Sequence, residues 1–300
     1  MKKVLIVGIT GQDGSLLNNF LLSKNIKVFG LSRKKNKSPR VIKTDYSYKS
    51  LKKIIIKIKP DEVYNFSGFS RPSSSWDHPF ENFKSNFETN LFFLEIIKSF
   101  SNKKIKYFNS SSSEIFQETN NKLTENSKIF PINPYGIAKS ASHFLVNAYR
   151  KKYNMYVVSG ILFNHESYKN SEKYLLKYLL KSSKKIKQKK IKKIILSDSR
   201  PIRDFGCAKD YVKCIYYLMQ LKKSDDYIIA TGKSYSIAEI ANLFKEKFKL
   251  KTNQVVFKNE FDFKFLNKIK KADNKKLLKS LKSFKFKNIN QLIQTLTDDD

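Results

Sequence analysis

The chain has 300 residues, 60 Lys or Arg against 26 Asp or Glu, and a formal charge of +34. With 40% hydrophobic residues it carries enough apolar material for a core, which excludes disorder as its main state. Two cysteines and three histidines exclude a disulfide scaffold and a histidine-rich metal centre.

The charge suggests nucleic acid or an anionic membrane, but its distribution argues otherwise. Lysine is spread along the whole chain, together with abundant Ile, Asn and Phe. The one dense tract, Lys184 to Lys193, reads as a solvated face. No zinc finger, RNP motif or basic zipper accompanies it. No apolar run approaches the roughly 18 residues of a membrane span, and the apolar start is too short for a signal peptide. The sequence reads as a cytoplasmic protein that binds neither membrane nor nucleic acid.

In chain order, Lys3–Val7 is a short apolar run closed by glycine, the pattern of a buried parallel strand. A helix over Ser15–Leu22 and a strand at Lys27–Leu31 complete a βαβ unit. Val41-Ile42 is a third strand, Leu51–Ile58 a helix stopped by Pro60, and Glu62–Phe66 the next strand. Asn86–Phe100 reads as a helix, Lys104–Phe108 as a strand, Tyr135–Tyr153 as a long helix and Tyr156–Phe163 as a strand. This alternation predicts an α/β fold, a Rossmann-type doubly wound parallel sheet. After Asn164 the alternation weakens, which predicts a smaller, mostly helical C-terminal substrate domain. The expected division is 1–163 plus about 204–230 for the nucleotide-binding domain, with 164–203 and 231–300 for the other.

Gly8-Ile9-Thr10-Gly11-Gln12-Asp13-Gly14 follows a strand and opens a helix. Glycines there let the backbone approach a pyrophosphate, and the helix start offers N–H groups and a favourable dipole. Gly8, Thr10, Gly11, Gln12, Asp13 and Gly14 are therefore candidate cofactor contacts. Ser67, past the fourth strand, is counted with them. Arg33 follows the second strand where an enzyme for NAD usually has an acid, and an arginine suits the 2′-phosphate of NADP. It is also one basic residue among many. Asp45 is placed to accept from an adenine amino group or to cap the next helix.

Tyr135 and Lys139 form a Y-x-x-x-K pair, one helical turn apart on one face. An ammonium there can hold a ribose and favour phenolate, turning tyrosine into a usable base. Tyr48 and Lys52 match the spacing as well, so position carries the weight: Pro134 suits a helix start. Upstream, Ser110 to Ser113 and Glu114 stand at the carboxyl end of a strand, where open α/β sheets bind ligands. Ser112 could hold a substrate oxygen, and Glu114 is a second acid or base.

Several segments resemble the extended short-chain dehydrogenase/reductases, and most closely the GDP-mannose 4,6-dehydratases. They are Gly8–Ser15, Ser111–Phe116, Pro134–Lys139, Gly160–Ser167, Arg203–Val212 and Ala230–Gly232 with Ser236. The run Phe163-Asn164-His165-Glu166-Ser167 is the most specific. The resemblance implies NADP as cofactor and a nucleotide sugar as substrate. It implies Tyr135 as base at the hexose 4-hydroxyl, Ser112 beside that oxygen, Glu114 as base at C5 and Lys139 on the ribose. It implies His165 at the cofactor, with Asn164 and Arg203 at the sugar nucleotide. A reductase or epimerase of the same fold is the alternative, and a non-catalytic NADP-binding regulator a distant one. A homodimer is expected; the short stretch from Arg33 to Val41 lacks the family's tetramer-forming segment. Lys177-Tyr178 stands where the family has Arg-Lys, and no Arg-Pro pair is recognisable between Phe257 and Asp273.

Overall fold

The computed structural model describes residues 1–100, 104–258 and 269–299. Most of the stretch where the Arg-Pro pair would fall lies outside them. In chain order the elements are β1 (Lys3–Val7), α1 (Gln12–Leu22), β2 (Lys27–Ser32), β3 (Val41–Lys43), α2 (Tyr48–Ile58), β4 (Glu62–Asn65), α3 (Pro79–Phe83) and α4 (Thr89–Lys98). Next come β5 (Lys106–Ser112), β6 (Lys122–Leu123), α5 (Pro134–Tyr153), β7 (Val157–Leu162), β8 (Asn164–Glu166) and α6 (Leu175–Lys187). The chain ends with β9 (Ile194–Leu196), β10 (Ile202–Cys207), α7 (Ala208–Leu218), β11 (Asp226–Ile229), β12 (Ser234–Ser236), α8 (Ile237–Phe248), β13 (Val255–Phe257), β14 (Lys271–Ala272), α9 (Lys275–Ser280) and α10 (Ile289–Asp298).

Two compact units emerge. The first contains 1–117, 125–162 and 212–228; the second contains 118–124, 163–211 and 229–300. The first is built on a seven-stranded sheet in the order β11-β7-β5-β4-β1-β2-β3. From β1 the chain winds to one edge through β2 and β3, then returns to β4 and winds the other way. The reversal between β1 and β4 opens a crevice at their carboxyl ends. Leu5, Val7, Val63, Tyr107 and Val157 point from these strands into a core shared with Leu51, Ile55, Phe93, Leu94 and Val146 of the helices. Each such fully buried aliphatic side chain contributes roughly 1.5–3 kcal/mol.

The helix boundaries follow local chemistry. The Ser47 side chain accepts from Ser50 N–H and starts α2, which ends at Lys59 in the left-handed region. Asn133 caps α5, Pro134 occupies its first turn, and Asn154 closes it with φ +50°. The helix expected from Asn86 begins earlier, at Pro79, and passes through a π turn at Lys84–Glu88. Asn82, Asn86 and Asn90 recur at a four-residue spacing, all buried. Asn86 Nδ2 donates to Asn82 O and Asn90 Nδ2 to Asn86 O.

The second unit has its own core. Leu176, Leu179, Leu180, Ile240, Phe244, Leu292 and Leu296 bring α6, α8 and α10 together. Its strands form small ladders: β10 lies between β8 and β12, β13 pairs with β9, and β14 with β6. This corrects the expected division. β10 does not return to the main sheet, because its edges are taken by β8 and β12; β11 does join that sheet, beside β7. Among the described residues no helix is long and apolar enough to cross a membrane.

Candidate active site

The first group of residues lies at the carboxyl end of β1. Gly8 has φ +80°, and a Cβ there would sit 3.1 Å from the backbone of Phe66 and Ser67. A Cβ at Gly14 would sit 2.3 Å from the Gly8 carbonyl oxygen, so only glycine lets α1 start this close to the turn. Gly11 is the N-cap of α1, with no side-chain cap. Gln12 and Asp13 form its first turn, Gln12 Nε2 donating to Asp13 Oδ1 at 3.2 Å, and Thr10 is exposed. A tight loop ending in a helix start without a side-chain cap is an anion cradle. The residues present fit the pyrophosphate of a dinucleotide.

Around this loop, Ser67 N–H and Oγ both donate to Asn65 Oδ1 at the end of β4. Arg33, exposed past β2, holds its guanidinium 5.8 Å from the ring centroid of Tyr46. Asp45 turns to its own chain: its Oδ1 accepts from Ser47 N–H at 3.0 Å and Ser47 Oγ at 2.9 Å. Those bonds, the Ser47 backbone first, hold the carboxyl below its usual pKa. Asp45 thus braces the start of α2. The buried residue at the end of β3 is Thr44, whose Oγ1 accepts from Tyr46 N–H.

The second group lies where β5 meets α5. The serine run is strand through Ser112, paired with Leu162 of β7, and Ser113–Ile115 form a 3-10 turn. Ser112 Oγ accepts from Glu114 N–H at 3.2 Å and so fixes the turn. Tyr135 stands in the first turn of α5 and is 8% exposed. Lys139 is buried one turn further on, its Nζ 5.7 Å from the Tyr135 ring centroid. The ammonium donates to Ser110 O at 2.8 Å. Burial pushes its pKa down to about 8, against the opposing attraction of Asp13 in the glycine loop.

Asn133, absent from the sequence expectations, joins these pieces. Its Oδ1 accepts from Gly136 N–H at 2.8 Å, and its Nδ2 donates to Glu114 Oε2 at 3.3 Å. One side chain thus caps the helix that carries Tyr135 and orients the half-buried Glu114. A Cβ at Gly136 would lie 2.6 Å from Glu114 O, so the helix start packs directly on the Glu114 turn. Asn-Pro before the helix signalled the cap; nothing local signalled the bond to Glu114. Ser112, Glu114, Tyr135 and Lys139 therefore form one cluster.

Asn164, His165 and Arg203 lie in the second unit. Asn164 is exposed on β8, and Arg203 on β10 donates from Nη1 to Ile202 O. His165 Nδ1 lies 2.7 Å from Phe163 O, which makes Nδ1 the protonated nitrogen. Its ring stacks on Tyr211, centroids 4.5 Å apart. Lys177 is buried and donates from Nζ to Tyr168 O.

This arrangement is that of a short-chain dehydrogenase/reductase of the extended kind: a doubly wound sheet with a glycine-loop cradle, and a serine, tyrosine and lysine on β5 and α5. The profile of the GDP-mannose 4,6 dehydratase family matches residues 5–293. GDP-mannose 4,6 dehydratase 1 of Arabidopsis thaliana is 33% identical over 265 residues, 81% of this chain and 73% of that protein. The GDP-mannose 4,6-dehydratase of Vibrio cholerae is 33% identical over 262 residues, 79% of this chain and 70% of that protein. The structure of RMD from Pseudomonas aeruginosa, complexed with NADPH, superposes with a TM-score of 0.85 at 16% identity, covering 100% of this chain and 98% of that one. The chain belongs to the GDP-mannose 4,6-dehydratase family.

Proposed function

We propose that this chain is a hydro-lyase that converts GDP-mannose to its 4-keto-6-deoxy derivative, with NADP held at the glycine loop. The observation that carries the reading is the cluster at β5 and α5, above all the carboxylate of Glu114 tied through Asn133 to the helix of Tyr135. Transfer of hydride to a ketone needs no such second base. Family membership supports the substrate.

Gly8, Thr10, Gly11, Gln12, Asp13, Gly14 and Ser67 would hold the dinucleotide, with Arg33 at its 2′-phosphate and Lys139 at its ribose. When bound, the dinucleotide would supply a hydride acceptor for C4 and a hydride donor for C6, with no net redox change. Tyr135 takes the proton of the sugar 4-hydroxyl, and Ser112 hydrogen-bonds the same oxygen. Lys139 stabilises the phenolate and keeps Tyr135 oriented. The 4-ketone acidifies C5; Glu114 removes that proton and delivers it to the departing 6-hydroxyl, which leaves as water, and C5 regains a proton when C6 receives its hydride, the proton released from the 4-hydroxyl to Tyr135 closing the balance. Asn164 and Arg203 are assigned to the sugar nucleotide and His165 to the cofactor on their match to the family.

The test is incubation of the purified chain with GDP-mannose and NADP. A product lighter by one water, formed without consumption of reduced cofactor, is expected. Oxidation of NADPH with a 4-keto sugar instead would make it a reductase.

We also infer a homodimer. Phe80 is 87% exposed and Phe144 57% exposed on the first unit. Phe80, Phe83 and Ile137 line an apolar groove of about 590 Å³ with Pro79 and Pro134. Large exposed apolar patches mark association surfaces. Phe80→Glu should shift the sedimenting species from dimer to monomer.

A further inference from the structure

Tyr46 takes no part in the chemistry above, yet its conformation is unusual. Its φ is +63°, in the left-handed region that bulky side chains rarely enter. Such outliers persist where the surroundings over-determine them, and they gather at binding sites. Here three contacts hold the residue. Its N–H donates to Thr44 Oγ1 at 3.1 Å. Its ring packs on the core beneath β3 and α2. Its ring also faces the Arg33 guanidinium, 5.8 Å from the centroid. Burial pushes the phenol's pKa up, while the Arg33 charge and a hydrogen bond from the Gly8 backbone pull it down. Tyr46 therefore touches both the pyrophosphate loop and the arginine beyond β2.

An exposed arginine has many rotamers, and ordering it on a ligand costs entropy. A carboxylate partner would order it but would compete with any phosphate for the same charge. An aromatic face orders the guanidinium and leaves its N–H donors open. Among the described residues no carboxylate forms an ion pair with Arg33; the aromatic ring is its partner. We propose that Tyr46 is a specificity-determining platform: its ring holds Arg33 ready for the ribose 2′-phosphate, and so sets the preference of this chain for NADP over NAD. This rests on the assignment of NADP to the glycine loop.

The test is titration calorimetry of the full chain, stripped of nucleotide, with NADP and with NAD. Wild type should prefer NADP. Tyr46→Phe keeps the ring and should keep the ratio. Tyr46→Asn removes the ring, and asparagine accepts a left-handed backbone without added strain. It should weaken NADP by about three- to fivefold and leave NAD unchanged. Tyr46→Asp should weaken NADP further, because its carboxylate pairs with Arg33. Both ring-free variants should melt as cooperatively as wild type. An unchanged ratio in them, or an equal fall for both nucleotides, overturns the platform role while the NADP assignment stands. Absence of NADP preference in wild type overturns both.

Discussion

Each unit contains carboxylates from the family-like segments, and the two units use them differently. In the first, Glu114 stays half-buried and accepts from the side-chain amide of Asn133. In the second, Glu166 and Asp204 are buried and taken up by backbone N–H groups. Glu166 accepts from Leu176 and Lys177 at the start of α6. Asp204 accepts from Thr231 N–H, Thr231 Oγ1 and Gly232 N–H. Burial pushes Glu166 up to about 7 and Asp204 up to about 6, against the pull of those bonds. A carboxylate surrounded by backbone donors organises a chain reversal or a helix start. One that stays partly exposed can move a proton. Membership of a motif therefore does not decide the role of an acid; its burial and the kind of donor it meets do.

The sharpest way to break this contrast is to remove the groups proposed to move protons in the first unit. Tyr135→Phe deletes the hydroxyl and keeps the ring that packs at the helix start. Its kcat should fall by roughly 10²–10⁴-fold, the span of general-base contributions, with the melting temperature unchanged. Glu114→Gln keeps a partner for Asn133 and cannot accept the C5 proton. Its turnover should fall by roughly 10²-fold or more, and exchange of C5 hydrogen with deuterated solvent should cease. Full turnover in Glu114→Gln would place the second base elsewhere.

Much of this cluster was legible because it is local. The glycine spacing, the Tyr135–Lys139 turn and the serines after Lys106–Phe108 each lie within one strand or turn, so periodicity and turn chemistry reveal them. The bond from Asn133 to Glu114 spans 19 residues and exists only once α5 packs on the Ser113–Ile115 turn. The stretch from Asp204 was expected with the first domain because nothing local shows which sheet a short segment joins; β10 pairs with β8 and β12 instead. The start of the helix at Pro79 was missed because Asn82 and Asn86 look like surface residues. They are buried, and the Asn86 amide donates to the Asn82 carbonyl within the same helix. Asp45 sat between two readings: its Oδ1 accepts from Ser47 at the turn before α2, and the adenine contact stays a proposal.

In the second unit the contrast predicts a pH effect on stability. The ordinary value for glutamate is 4.5, and burial raises Glu166 in the fold to about 7. Between those values the folded chain binds more protons than the unfolded one. Stability from this site is therefore gained as pH falls from about 7 toward 4.5, and is lost as pH rises through 7. Asp204, raised from 3.8 to about 6, acts in the same direction between those values. The melting temperature of Glu166→Gln should depend less steeply on pH than wild type between pH 5 and 7. Parallel curves would mean that Glu166 is ionised throughout, with its backbone donors outweighing burial.

The smallest effect makes the cleanest comparison, because each unit starts a helix on an asparagine. Asn133 Oδ1 accepts from Gly136 N–H, and Asn288 Oδ1 accepts from Gln291 N–H at 2.9 Å at the start of α10. Replacing either with alanine removes one cap and should cost about 1 kcal/mol. The Asn288 cap is exposed and shared with Gln291, whose side chain accepts from Asn288 N–H, so its loss should leave kcat untouched. The Asn133 cap is buried and carries a second bond, to Glu114. Asn133→Ala should therefore lose a similar stability and, in addition, about tenfold in kcat, the effect of roughly 1.4 kcal/mol in the barrier. Urea melts and steady-state kinetics on the two variants separate the terms. If both caps cost equal stability and neither lowers turnover, Asn133 only starts a helix, and the orientation of Glu114 comes from the packing of Gly136 on its turn.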